Sequence, residues 1–106
     1  MKAQRLFKIE GDWALKFGGA VSGRMDCFQV GDLKDGFEKA YVFSWIAFDP
    51  LLPERKVLLD QHANKPCHLH VGDKEIEIPN RPATIQEAMA LFRNEIEKYF
   101  GQLAEE

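Results

Sequence analysis

The feature that most constrains the fold is the longest apolar run of the chain, Tyr41–Phe48, which a single serine interrupts. Its β-branched and aromatic content favours a strand over a helix. Apolar residues occupy both alternating positions, which is typical of a strand buried on both faces at the centre of a sheet. Pro50 and Pro53 follow closely. Because proline lacks the backbone donor that a sheet needs, the strand is predicted to stop before them.

Shorter segments with strand-like patterns lie on both sides of this run. The Gly11-Asp12 dipeptide predicts a hairpin turn between the first two, and Gly72-Asp73 predicts a tight hairpin between the last two. The glycine-rich stretch at 18–23 lacks the Gly-Lys-Ser/Thr sequence of a phosphate-binding loop, and we interpret it as a flexible connection. Residues 31–36 are predicted to form an exposed loop. The candidate neighbouring strands are residues 3–9, 13–17, 25–30, 56–59, 67–71 and 74–78.

The C-terminal part of the chain predicts one amphipathic helix. Pro82 ends the preceding strand, and Thr84 followed by Glu87 forms a capping box, in which the threonine caps the helix and the glutamate reaches back. Gly101 is well placed to end the helix. Apolar residues recur at three- and four-residue spacings, which indicates one buried stripe. The stripe consists of Ile85, Met89, Phe92, Ile96, Tyr99 or Phe100, and Leu103.

These elements together predict an α+β fold with a single domain, residues 1–106. The sheet is expected to be an antiparallel meander of about five or six strands, with the C-terminal helix packed on one face. A chain of 106 residues has the common size of one domain, and 45% of its residues are hydrophobic, which is too many for a disordered protein.

Charge and hydropathy argue against two classes of protein: those that bind nucleic-acid backbones broadly and those that are secreted or inserted into membranes. The formal net charge of −3 argues against broad binding to a nucleic-acid backbone, although a local basic pocket remains compatible with it. The first ten residues lack the apolar core of a signal peptide, and no apolar run approaches the ~20 residues that cross a bilayer. We therefore expect a cytoplasmic protein without a membrane partner. Cys27 and Cys67 are expected to be reduced thiols on apolar strand faces.

A segment near the end of the predicted sheet carries all three histidines of the protein: His62, His68 and His70. In a strand at 67–71, alternation places His68 and His70 on one face and Cys67 and Leu69 on the other. Imidazole titrates near neutrality and is the commonest metal ligand, so this face is the best candidate for a functional site.

Three functions fit the segment. In the first, His68, His70 and Glu75 hold a divalent metal, because His-x-His followed by a glutamate resembles the first motif of the cupin family. That motif expects a glycine after the glutamate and a second histidine motif later in the chain, and both are missing here.

In the second, the site is a ribonuclease that needs no metal or other cofactor. His68 and His70 would act as general base and acid, and Lys65 would stabilise the charge of the phosphorane. Asp60 would orient an imidazole, and His62 would contribute less. In the third, the protein is not an enzyme, and the sheet presents a surface to a protein partner.

The same segment, with the helix that follows it, resembles the C-terminal half of the TumE-type toxins of bacterial toxin–antitoxin pairs. The resemblance covers roughly residues 55–100. Two positions depart from the family pattern, because Gln61 stands where asparagine is usual and Asn64 where glycine is usual. Asn64 tolerates a left-handed turn. The positions that fit are Asp60, Lys65, His68, His70, Gly72 and Glu75, with Phe92 in the helix.

The resemblance implies a cytosolic prokaryotic toxin-like protein. It implies as partner a cognate antitoxin, a small DNA-binding protein that binds and neutralises the toxin. It makes a ribonuclease activity, and therefore an RNA substrate, an expectation for the site that contains His68 and His70.

Overall fold

The computed structural model describes residues 3–62 and 65–104, which form six strands and two α-helices. The strands join in one antiparallel sheet in the order β1-β2-β3-β4-β5-β6, so the predicted α+β meander is confirmed. The elements are β1 Gln4–Ala14, β2 Ala20–Gln29, a 3-10 turn Leu33–Asp35, α1 Phe37–Ala40, β3 Tyr41–Phe48, β4 Lys56–His62, β5 Lys65–Val71, β6 Lys74–Ile76 and α2 Ile85–Phe100.

The first hairpin differs from the prediction. The turn expected at Gly11-Asp12 is wrong, because β1 continues through both residues to Ala14. The chain reverses at Gly18 and Gly19, whose φ angles of 111° and 88° favour glycine. The predicted flexible connection at 18–23 is therefore mostly strand, since β2 begins at Ala20.

Packing between the two strands explains why β1 continues. Gly23 of β2 lies beside the ring of Trp13, and a Cβ atom on Gly23 would lie only 2.4 Å from that ring. The glycine therefore makes room for a tryptophan on the neighbouring strand. Trp13 in turn meets Phe92 of α2 with ring centroids 6.3 Å apart.

Strand β3 lies inside the sheet as predicted, but only one of its faces is buried. Phe43, Trp45 and Ala47 are buried, whereas Val42, Ile46 and Phe48 are half-buried and Ser44 is exposed. The expectation of burial on both faces is therefore wrong. The physical reason is that α2 packs on one side of the sheet, and no other described element lies on the opposite side. We call these two sides the core face and the open face.

Helix α2 closes the core face through Ala88, Phe92 and Ile96. Its predicted N-terminal cap is confirmed, because Thr84 Oγ1 accepts a hydrogen bond of 3.0 Å from the Glu87 backbone N–H. The Glu87 carboxylate accepts from the N–H of residue 83 at 2.7 Å. The helix ends at Phe100, before Gly101 at φ 119°. No helix among the described residues has the length and apolar character that crossing a membrane requires.

Other elements differ from the sequence prediction by a few residues at their ends. Strand β4 extends three residues beyond residue 59 and includes His62, whereas β6 ends at Ile76 and not at residue 78. The loop expected at 31–36 contains the 3-10 turn, and α1 follows it. The Gly72-Asp73 hairpin is confirmed, with Gly72 at φ 64°. The turn expected at Asn64 lies outside the described residues.

Candidate functional site

Strands β4 and β5 bring the three histidines to the open face of the sheet. Asp60 pairs with His68 across the two strands, and His70 pairs with Glu75 on β6. Cys67 is buried on the core face, as the period of two predicts. The rings of His68 and His70 lie edge to face with centroids 5.1 Å apart. The prediction that these two imidazoles project together is therefore confirmed.

Asp60 connects two of the imidazoles. Its Oδ2 atom lies 2.9 Å from His62 Nε2 and 3.5 Å from His68 Nε2. Only 14% of its side chain is exposed, and its Oδ1 atom is buried without a hydrogen-bond partner among the described residues. This carboxylate accepts a hydrogen bond from His62 Nε2, and it can stabilise a positive charge on either ring. The structure thus places Asp60 in contact with two of the three imidazoles.

The tautomer of His68 follows from its second hydrogen bond. Its Nδ1 atom lies 3.0 Å from the Pro66 carbonyl oxygen, which can only accept, so Nδ1 carries the proton. Nε2 is therefore the ring nitrogen that can exchange a proton with a substrate or bind a metal. The backbone of β5 itself selects this state.

His70 has a carboxylate partner of its own. Its Nε2 atom lies 3.7 Å from Oε1 of Glu75, which is much more exposed than Asp60. The donor atoms of His68, His70 and Glu75 all lie within 4.8 Å of one another. Two imidazoles and a carboxylate at this separation could also hold a divalent transition metal.

A pocket of about 490 Å³ opens beside the first residues of β5. Because β6 ends at Ile76, it pairs with residues 69–71 of β5, and no other described strand lies beside the outer edge of β5 before them. Lys65 and His68 line this pocket together, so the predicted cation and one predicted imidazole share a cavity. His70 lies outside its lining. The other residues that line it are Pro66, Cys67, Glu75, Ile76, Glu77, Ile78 and Arg81.

Arg81 is a second cation of this pocket that sequence reasoning missed. Its guanidinium lies 3.6 Å from the Glu38 carboxylate of α1, and about half of its side chain is exposed. It follows β6 in a stretch without regular structure, so no period or motif marks it. Only the position of the chain after β6 brings it beside Lys65.

The sequence also failed to indicate the polar row that continues across the sheet. Asp26 on β2 pairs with Ser44 on β3, and Ser44 pairs with Asp60 on β4. Asp26 and Asp60 each have a buried Oδ1 atom without a hydrogen-bond partner among residues 3–62 and 65–104. The available signal was Ser44, the polar residue inside the apolar run, which marks the open face of β3.

Gln61 takes no part in the histidine cluster. It is buried on the core face, where its Nε2 atom donates hydrogen bonds of 2.8 Å to the Tyr41 carbonyl and 3.4 Å to the Phe37 carbonyl. Its amide therefore anchors α1 and the start of β3. Cys67 likewise offers no nucleophile to the pocket, because burial raises the pKa of its thiol to about 12.

A second cavity, of about 770 Å³, lies on the core face beside α2. It is larger than the pocket beside β5, but the described residues that line it include no histidine, cysteine or lysine. Trp13, Met25, Met89 and Phe92 make it mainly apolar. The smaller pocket and the histidine cluster are therefore the candidate functional site.

Comparisons of the chain with protein-family models, with characterised proteins and with solved structures found no match. The functional argument therefore rests on the geometry of the described residues.

Proposed function

We propose that this protein is the toxin-like component of a prokaryotic toxin–antitoxin pair and that it cleaves RNA without a metal. One observation carries the proposal: the reactive nitrogen of His68 lies beside Asp60 and His70, at a pocket that Lys65 and Arg81 also line. Acid–base groups, a carboxylate that orients them and cations for phosphate are the parts that phosphodiester transfer requires.

The chemistry would follow an intramolecular transfer. A general base removes the proton of the 2′-hydroxyl, whose oxygen attacks phosphorus, and a general acid protonates the departing 5′-oxygen as its bond to phosphorus breaks. His68 and His70 would divide these two roles. Lys65 and Arg81 would stabilise the negative charge of the phosphorane. Asp60 would act as a positioning residue for His62, and it would accept a hydrogen bond from Nε2–H of His68 when that ring carries both protons.

The role as a toxin is supported by the resemblance of residues 55–100 to the TumE-type toxins. The antitoxin would act by covering the histidine-bearing end of the open face, where RNA would otherwise bind. The proposed setting is the cytoplasm, where RNA and antitoxin are both accessible. The overall charge of −3 makes contacts with RNA local to the Lys65 and Arg81 pocket.

The decisive experiment measures cleavage of a labelled RNA by the purified protein in the presence of EDTA. We expect the wild type to cleave with a bell-shaped pH profile, because one imidazole must be neutral while the other is charged. His68→Ala and His70→Ala should each lower the rate by on the order of a hundredfold or more, which is the usual scale for one acid–base group. Lys65→Ala should lower the rate and leave the profile in place.

Controls separate chemistry from folding. Lys98→Ala removes the same charge from a lysine on α2 that is 76% exposed, and it should leave cleavage unchanged. His62→Ala should cost less than His68→Ala, since His62 is 58% exposed and its ring lies farther from His68 than the ring of His70 does, with centroids 6.3 Å apart against 5.1 Å. Circular dichroism should show every variant folded. If the His68→Ala/His70→Ala double variant still stops growth at equal protein level, the catalytic proposal fails and a binding module remains.

Metal binding is the second candidate function, favoured by the three donor atoms within 4.8 Å. It requires that dialysed protein retain near-stoichiometric zinc, nickel, iron or manganese, and that chelation lower the melting temperature, because a metal that binds only the folded state stabilises it. We expect neither effect. A retained metal that His68→Ala removes, with Lys98→Ala as the control, would favour the metal site over the ribonuclease.

A further inference from the structure

Strand β1 forms one edge of the sheet, and most of its outer side has no partner among residues 3–62 and 65–104. It is eleven residues long, and β2 is the one described strand that pairs with it. All of its residues except Phe7 and Trp13 are exposed. The described C-terminal tail closes only the end of the strand, where the Ala104 N–H donates to the Ala14 carbonyl at 2.9 Å. Native sheets usually protect an edge of this length, because its free backbone groups pair with other strands.

The tail also shows which residues direct their backbone groups outward. Ala14 accepts from the tail, and the Lys16 N–H donates to the tail carbonyl of Gln102 at 2.7 Å. The Leu15 N–H instead donates to Gly19 within the hairpin. Backbone groups of successive strand residues alternate in direction. From residue 8 onward, the even-numbered residues of β1 therefore point their N–H and C=O groups away from β2.

The charges of these outward-pointing residues are complementary to those of a second copy of the same strand. Lys8 lies in the first half of the strand and Glu10 in the second, both on the open face. Two copies related by a two-fold axis would pair antiparallel, so each residue faces one of the same parity. With Lys8 on the axis two lysines would meet, and with Glu10 on the axis two glutamates would meet. With Ile9 on the axis, each Lys8 faces Glu10 of the second copy.

This register also continues a charge pattern that already exists within one chain. In the register of the sheet, Glu10 lies opposite Arg24 of β2 and Lys8 opposite Asp26, and within the chain Lys8 Nζ lies 3.3 Å from Glu10 Oε1. Across the axis, the row would be Arg24, Glu10, then Lys8 and Asp26 of the second copy. Signs alternate at every step, and opposite charges on neighbouring strands stabilise a sheet.

We propose that the protein forms a two-fold dimer in which β1 pairs antiparallel with β1 of a second copy, with Ile9 on the axis. The two sheets then form one continuous sheet. The pair at Ile9 is not hydrogen-bonded, so its side chains approach closely and bury a residue that is 38% exposed in the monomer. The histidines lie on β4 and β5, three and four strands away from β1 in the sheet, so the dimer leaves both sites open.

Disulfide trapping tests the register without reference to RNA cleavage. A residue on the axis faces its own copy, and a non-hydrogen-bonded pair brings Cβ atoms close to disulfide distance. Ile9→Cys should therefore give a disulfide-linked dimer under mild oxidation. Phe17→Cys, at an 85% exposed position outside the strands, is the control and should not. The native thiols Cys27 and Cys67 are buried and should not compete.

The oligomeric state gives a second measurement. Light scattering should show a mass that rises to twice the monomer mass with concentration, and Ile9→Lys should return it to the monomer because two like charges then meet. Phe17→Lys should remain dimeric. A monomer at every concentration would overturn the dimer, as would equal cross-linking of Ile9→Cys and Phe17→Cys. Cross-linking of Ile9→Cys only to a co-expressed antitoxin would show that β1 binds another protein instead.

Discussion

At the scale of the residue, Asp60 shows how far sequence reasoning reaches into the site. The alternation of a strand predicts that His68 and His70 share a face, and their spacing alone is sufficient for that conclusion. The contact between Asp60 and His68 depends in addition on the register of β4 against β5. Arg81 could not be found in this way, because it reaches the pocket only through the path of the chain after β6.

The two cysteines give a prediction at the same scale. Burial raises the pKa of Cys27 from 9.0 to about 11 and that of Cys67 to about 12; for Cys67, the nearby Glu38 and Asp60 add to this effect and Arg81 opposes it. Because the thiolate is the reactive form, neither residue should react with iodoacetamide in the folded protein near neutral pH. Both should react in denaturant. Mass spectrometry of the alkylated protein measures the difference.

The raised pKa values also fix the sign of a pH dependence. Below pH 9 both thiols are protonated in the folded and the unfolded chain, so their contribution to stability is complete. As the pH rises from 9 towards 11 and 12, the unfolded chain loses these protons first, and the free energy of unfolding falls. Cys67→Ser should reduce this alkaline loss. Alkylation of either thiol in the folded protein, at the rate seen in denaturant, would contradict its burial.

At the scale of the element, local signals predicted α2 better than they predicted β1. The cap at Thr84 and the stop at Gly101 depend on residues within one turn of the helix, so the sequence indicated both ends. The β1 hairpin depends on contacts between strands. Gly11-Asp12 is a turn signal, but the strand continues past it because Trp13 pairs with Val21 and its ring packs over Gly23.

The stripe of α2 was predicted only in part. Phe92 and Ile96 are buried as expected, whereas Met89 is 37% exposed and lines the cavity beside Trp13. Near Met89, a cavity therefore separates α2 from the part of the core face that β1 forms. Period alone predicts which residues share a face of a helix, and the position of the helix on the sheet decides how deeply each is buried.

At the scale of the whole molecule, the main departure from prediction is the open face. An apolar run with both alternating positions apolar is typical of a strand between two layers, but the described part of this chain has one long helix, which covers one face of the sheet. Because the other face is left uncovered, β3 has half-buried residues there, Val42, Ile46 and Phe48, and one exposed residue, Ser44. The histidines lie on this open face, so the lack of a second covering layer also leaves the candidate site accessible.

Hydrogen exchange tests this arrangement across the whole sheet. Opening β3 breaks its pairing with both β2 and β4 and exposes Trp45, so its amides should exchange only with global unfolding and be the slowest in the protein. The outward amides of β1, such as that of Lys8, should exchange orders of magnitude faster in monomeric protein, because no hydrogen bond to a described residue protects them. At concentrations that favour the dimer, the Lys8 and Glu10 amides should slow, whereas the Leu6 amide, beside the bulge of β1, should slow less. Ile9→Lys should abolish the concentration dependence and leave β3 protected. Amides of β3 that exchange faster than those of β1 would contradict the sheet order, and unchanged exchange at Lys8 in a dimer would place the contact elsewhere.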